Sequence, residues 1–212
     1  MDSLKITGLN ENNKMKFSNI PENVNFNLNS VLSTLTIVES SVDLNSDFLN
    51  KDVFKNMTTL QISGEILSFQ TDIFKYFNKL RFIDFTLNNY TSFYLNYGIS
   101  WMQYLNMNLT EDDQLDPNKE ILITFSFSDT GTVTYDYPNK DFCHFVDFPH
   151  DKRVFMRVVG DNLRCTCTVM WIIQNYKNSS DPQLWMSSSF AGCVIEEAFD
   201  NLIELCEFEE KI

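Results

Sequence analysis

The chain has 212 residues, 43% hydrophobic and 14% aromatic, with 19 Phe, and sets 16 Lys plus Arg against 29 Asp plus Glu for a formal net charge of -13. That length suits one domain or two small ones, and so many aromatic side chains exclude an intrinsically disordered chain. The acid excess argues against partners held by phosphate neutralisation, so neither nucleic acid nor an anionic membrane surface is expected.

At the N-terminus, Leu4, Ile6 and Leu9 suggest a first strand within an N-terminal cover spanning 1–30. The opening Met1-Asp2-Ser3-Leu4-Lys5 lacks the basic and then apolar run of a signal peptide. No apolar run approaches the roughly 18 to 20 residues of a membrane span, the longest compact one being Val169-Met170-Trp171-Ile172-Ile173, so no membrane insertion is expected.

An internal repetition follows. Phe54, Met57, Leu60 and Ile62 stand three, three and two apart. Phe74, Phe77, Leu80 and Phe82 repeat the spacing, as do Ile99, Met102, Leu105 and Met107, and Leu32, Leu35 and Ile37 supply its last three positions. A spacing of three suits a helical or 3₁₀ segment turning inward, and a spacing of two suits a short strand with alternate residues inward. Aligned on the third position, Leu35, Leu60, Leu80 and Leu105 advance by 25, 20 and 25 residues, inside the period of leucine-rich repeats. One such unit cannot bury its own apolar face, so the pattern predicts stacked units over 31–160 with their strands in a parallel sheet. Ser46 to Met57 and Gln70 to Leu80 carry apolar residues at helical spacing, which also fits ordinary helix and strand alternation without repeats.

From Glu120 to Tyr137 the period changes to two. Ile121, Ile123, Phe125 and Phe127 alternate, Asp129-Thr130-Gly131 is a turn signal, and Val133, Tyr135 and Tyr137 alternate again, as in a hairpin. Leu122, Phe125 and Phe127 also fit the repeat spacing, so the region near 120–150 is either an inserted hairpin or loop, or a further repeat.

The five cysteines are Cys143, Cys165, Cys167, Cys193 and Cys206, and Asn-X-Ser/Thr acceptor sequences stand at Asn56, Asn89, Asn108 and Asn178. Clustered cysteines together with four acceptor sequences point to a secreted or extracellular glycoprotein. A zinc site is a competing reading of the cysteines, although Cys-x-Cys followed by gaps of 26 and 13 residues is not a usual zinc spacing. Free thiols are a third.

Residues 156–171 read Met-Arg-Val-Val-Gly-Asp-Asn-Leu-Arg-Cys-Thr-Cys-Thr-Val-Met-Trp. This run resembles the junction between the last repeat and the cysteine-rich C-terminal cap of extracellular leucine-rich repeat proteins. Met156 and Val158 occupy the strand leucines, Asp161 the Asn, Leu163 the next Leu, and Cys165, Cys167 and Trp171 the cap signature. The chain departs from the family in having Ser40, Glu65, Phe85 and Thr110 where each repeat normally carries Asn, Asn162 in place of a Pro, and no cysteine before Cys143.

The resemblance implies an α/β fold: a short leucine-rich repeat solenoid with a parallel concave sheet, closed by a disulfide-linked helical C-terminal cap at 161–212. It implies bridges Cys165–Cys193 and Cys167–Cys206, a cap helix at Thr168 to Lys177, and a second helix at about Val194 to Phe208.

Motifs for catalysis are thin. Cys143, His144, Asp147 and His150 contain the chain's only two histidines, but adjacent residues on one strand point to opposite faces and cannot form a catalytic hydrogen bond directly. No phosphate-binding loop or nucleophile elbow is present, and Glu111-Asp112-Asp113 reads as a solvated loop. No enzyme activity, cofactor or metal is expected.

The resemblance implies instead a non-catalytic secreted module, monomeric or weakly oligomeric, whose concave surface recognises another secreted or cell-surface protein. On the register above, Gln61, Lys79, Arg81, Tyr104, Asn106 and Arg157 face the partner. The alternative is an intracellular leucine-rich repeat adaptor with reduced cysteines.

Overall fold

A computed structural model describes residues 3–13, 15, 32–108, 110, 116, 119–127, 148–160, 166, 168–169 and 171–172. They form an α/β structure built on one sheet of six parallel strands: β1 (Ser3–Thr7), β2 (Thr34–Leu44), β3 (Thr59–Phe69), β4 (Phe82–Leu87), β5 (Ile121–Ser126) and β6 (Val154–Val159). Their spatial order is their order in the chain. One complete α-helix, α1 (Tyr90–Tyr97), lies among the described residues.

Register places two rows of apolar side chains across the sheet. Leu4, Leu35, Leu60, Ile83, Ile123 and Met156 stand side by side, and so do Ile6, Ile37, Ile62, Phe85, Phe125 and Val158. Apart from Leu4 and Ile6 at the edge, these residues are at most 1% exposed, and each Leu, Ile or Phe so buried contributes about 1.5 to 3 kcal/mol. Because side chains alternate along a strand, the same geometry turns the intervening residues to the opposite face.

The crossovers pack on the apolar rows. Phe48, Leu49, Phe54 and Met57 from the first described crossover share one buried cluster with Ile73, Phe74, Phe77 and Leu80 from the second, and with Phe93, Tyr94, Trp101 and Met102 from the third. A sheet with strands in chain order takes all its crossovers on one side when they share a hand. Trp101 is fully buried against the rings of Phe69, Phe74, Phe85 and Phe93.

Several sequence expectations are borne out locally. Leu35 with Ile37, Leu60 with Ile62, and Met156 with Val158 are inward strand pairs, and Ile6 lies on a first strand. Thr168, Val169, Trp171 and Ile172 are helical and buried, with Trp171 edge-on to Phe148 at 4.9 Å.

Others are corrected. β4 begins at Phe82, so Leu80 precedes it, Phe82 faces away from the core, and the inward pair is Ile83 and Phe85. Leu105 and Met107 lie on no strand. They follow a 3₁₀ turn at Ser100–Tyr104, with Leu105 buried and Met107 exposed. In β5, Leu122 lies on the opposite face from Ile121, Ile123 and Phe125, as alternation requires. Aligned positions therefore advance from Leu4 by 31, 25, 23, 40 and 33 residues, not by one period.

Ser46 to Met57 forms turns, not an α-helix. Asn45 Oδ1 accepts the amides of Asp47 and Phe48, and Asn50 Oδ1 those of Asp52 and Val53. Gln70 to Leu80 contains only a 3₁₀ turn, Ile73–Tyr76. The five cysteines, His144, Asp147, Glu111, Asp112, Asp113, Asn178, the second half of the predicted hairpin and the predicted helix near 194–208 lie outside the described residues.

β2 and β3 run on beyond the other strands through two compensating bulges. β2 carries an extra residue between Ile37 and Ser40, where Glu39 adopts φ 49°, and β3 carries one between Ile66 and Ser68. Ser40, 3% exposed, is held there: its hydroxyl donates to Val38 O at 2.8 Å and accepts the Leu9 amide at 3.1 Å.

Candidate functional site: the open face of the sheet

The face turned away from the described crossovers carries two rows of its own. Ser3, Thr34, Thr59, Phe82, Leu122 and Phe155 form one, and Lys5, Thr36, Gln61, Asp84, Thr124 and Arg157 the other. Each row changes character along the sheet. Over β1 to β3 the side chains are hydroxyls, an amide and a lysine, while over β4 to β6 an apolar strip of Phe82, Leu122 and Phe155 lies beside a charged strip of Asp84, Thr124 and Arg157.

Burial varies along this face. Phe82 is 51% exposed, whereas Leu122 and Thr124 on β5 are 7% and 5% exposed, so the face is open over β1 to β4 and covered at β5. All-parallel sheets normally have both faces covered, so half-exposed β1 to β4 side chains and an outward Phe set this face apart from the one that packs on the core.

Hydrogen bonds tie neighbouring strands across the face. Thr36 Oγ1 donates to Gln61 Oε1 at 3.0 Å, and Ser126 Oγ donates to Asp84 Oδ1 at 3.0 Å. Burial pushes the Asp84 carboxyl above its ordinary value, opposed by the Ser126 hydrogen bond and by the positive charge of Arg157 two strands away. Arg157 Nε is buried without a hydrogen-bond partner among the described residues.

Of the six binding residues expected from the sequence, the sheet places two on this face, Gln61 and Arg157, in one row but three strands apart. The other four are displaced by the shift of β4 and the absence of a strand at Leu105. Exposed Lys79 lies before β4 and donates to Asn56 Oδ1 at 2.7 Å. Arg81 also precedes β4 and donates to Leu80 O at 2.7 Å. Tyr104 ends a 3₁₀ turn. Asn106, at φ 48°, donates through Nδ2 to Lys119 O at 2.8 Å and Lys152 O at 2.7 Å, fastening the approaches to β5 and β6. Asn108 lies in the turn beyond it and not on the open face.

Sequence reasoning missed Phe82, Asp84, Leu122 and Thr124. The signal was available in Ile83 and Phe85, which alternate as an inward pair and leave Phe82 and Asp84 outward. Among the described residues no three His, Cys, Asp or Glu side chains gather as a metal site, and no helix is long and apolar enough to cross a membrane. No protein-family model matches the chain, and neither a curated protein nor a solved structure matches it.

Proposed function

We propose that this chain is a short, divergent leucine-rich repeat solenoid of the extracellular type, closed by a disulfide-linked cap, and that it binds another protein without catalysis. The strand order, the single core side and the Cys165-Thr166-Cys167 sequence followed by Trp171 support the architecture. One observation carries the binding reading: a parallel sheet presents an outward face on which Phe82 is 51% exposed, in a row that runs through a covered Leu122 on β5 to Phe155 on β6, beside the row that ends in Arg157. Aromatic and Arg side chains beside a polar rim form the usual centre of a protein interface.

The partner that fits is a protein with an apolar centre and a basic rim. A net charge of -13 steers a basic surface toward this chain and repels acidic ones. The sheet makes the site rigid, so binding orders little backbone.

Two measurements test the reading. Peptide mapping of the unreduced native protein should show Cys165 joined to Cys193 and Cys167 to Cys206; five reduced thiols would instead place the chain among intracellular adaptors. With a purified partner showing saturable binding, Phe82→Ala or Arg157→Ala should each weaken affinity by about thirtyfold, the equivalent of ~2 kcal/mol, while circular dichroism is unchanged. Unaltered affinity in both variants would remove the open face as the site.

A further inference from the structure

The extension of β2 and β3 creates a second feature. β4 pairs with β3 only as far as Leu87 opposite Gly64, so beyond Gly64 the outer edge of β3 faces α1 instead of a strand. The contact is maintained by the Asn88 amide donating to Gly64 O at 2.9 Å and the Tyr97 hydroxyl donating to Leu67 O at 3.3 Å. Between them lies a cleft of about 80 Å³.

The cleft is built largely of neutral polar groups. It is lined by Glu65, a carboxylate residue, by Asn88, Asn89 and Asn96, which carry carboxamides, and by half-buried Tyr97, whose ring stands 5.4 Å from that of buried Phe93. Carboxamides donate and accept at once, a carboxylate accepts two hydroxyls, and an aromatic face packs against C–H groups. That combination fits a sugar ring, which has hydroxyls around its rim and apolar faces. One carboxylate is too few for a dedicated cation site and disfavours phosphate.

Asn89 also begins the acceptor sequence Asn89-Tyr90-Thr91. As N-cap of α1 its Oδ1 accepts the Ser92 amide at 2.8 Å, which fixes the plane of the carboxamide. A glycan attaches to the other end of that group, Nδ2, and leaves Oδ1 to cap the helix.

We propose that Asn89 carries an N-linked glycan whose first N-acetylglucosamine seats in this cleft, against Glu65, Asn96 and the rings of α1. The inference rests on the secreted reading given above. Attachment joins Nδ2 to the anomeric carbon of a sugar activated as a lipid-linked diphosphate; the bond to the diphosphate oxygen breaks, the diphosphate leaves with the electron pair, and one Nδ2 proton is released. Asn56 is a poorer attachment point, because it is half-buried and the Thr58 hydroxyl of its acceptor sequence donates to Ser33 O at 3.1 Å.

The test uses the full chain secreted from a eukaryotic host, so that access to the glycosylation machinery does not depend on where the protein naturally resides. Glycopeptide mapping should find Asn89 occupied. Peptide N-glycosidase should release that glycan several-fold more slowly from native than from denatured protein. Glu65→Ala and Asn96→Ala, both at exposed positions, should speed native release while leaving the denatured rate unchanged. A bare Asn89, equal native and denatured rates, or native rates unmoved by both variants would overturn the proposal. The effect of Phe82→Ala on partner binding judges the protein-binding reading separately.

Discussion

Gly64 approaches Ser40 so closely that a β-carbon on Gly64 would stand 2.2 Å from the Ser40 carbonyl oxygen. The pair occupies the bulge where β2 and β3 bend together, and Gly64 reaches it at φ 127°, a conformation that L side chains rarely adopt. Gly64→Ala should therefore cost about 3 kcal/mol or more in urea denaturation. Gly8, at φ 72° with nothing within 4 Å of its would-be β-carbon, is the control: Gly8→Ala should cost only about 1 kcal/mol. Equal losses would mean that the contact with Ser40 is unimportant.

Tyr90 joins α1 to two strands. Its hydroxyl accepts the Leu87 amide at 3.1 Å and faces the carbonyl oxygens of Phe85 at 2.5 Å and Ser126 at 2.8 Å, sharing one proton between them. Burial raises this phenol well above its ordinary pKa, so it stays protonated through neutral pH. Tyr90→Phe keeps the ring contacts and deletes the junction, leaving buried backbone groups unsatisfied at a cost of about 1 to 3 kcal/mol. Hydrogen exchange at the Leu87 amide should accelerate in the variant; unchanged protection would contradict this account.

The ion pair of Arg153 with Glu120 ties the start of β6 to the residue before β5, with side chains only 14% and 13% exposed. Glu120→Ala should destabilise by about 3 to 5 kcal/mol, because it leaves a cation with little access to water. The double variant Glu120→Leu with Arg153→Met should recover most of that loss, since it removes both charges. Thermal denaturation distinguishes the two; a double variant no more stable than the single would show that the pair does more than satisfy itself.

Asp84 predicts a pH effect with a definite sign. Its folded pKa lies above the 3.8 of the free carboxyl, so the folded protein binds the proton more tightly than the unfolded chain does. The associated stability is fully present below 3.8 and is lost as pH rises through the higher folded value. Asp84→Asn keeps an acceptor for Ser126 and removes the buried charge. It should raise the melting temperature at pH 7 and flatten the pH dependence just above 3.8. A lower melting temperature at pH 7 would mean that the attraction of Arg157 outweighs desolvation.

The residues explain which parts of this fold were legible in the sequence. Phe54, Met57, Leu60 and Ile62 read correctly because the 3-residue steps ended in an inward pair followed by the polar Ser63. Phe74, Phe77 and Leu80 make the same inward steps through a 3₁₀ turn, but the sequence takes one more step of three, to Ile83, before changing to two at Phe85. An outward Phe82 imitated the change of period one step early. After Leu105 the imitation was Met107, and among the described residues the next strand is β5, beginning at Ile121. An apolar side chain on the open face is indistinguishable, by spacing alone, from one in the core, so the most informative residue of the candidate site was also the one that misplaced it.

Strand order that follows chain order has a consequence for biosynthesis. Each strand after the first pairs with one already made, since β2 needs only β1 and β6 only β5 among its described sheet neighbours. No described strand after β1 must wait unpaired for a partner still to be synthesised, which shortens the time that a hydrophobic strand such as that of Leu60 and Ile62 stands open on both edges to other chains. Length is also inexpensive in this arrangement, because residues added between two strands enlarge one crossover and leave every other pairing in place. The 40-residue advance from Ile83 to Ile123, which holds α1 and a 3₁₀ turn without disturbing register on either side, is such an enlargement.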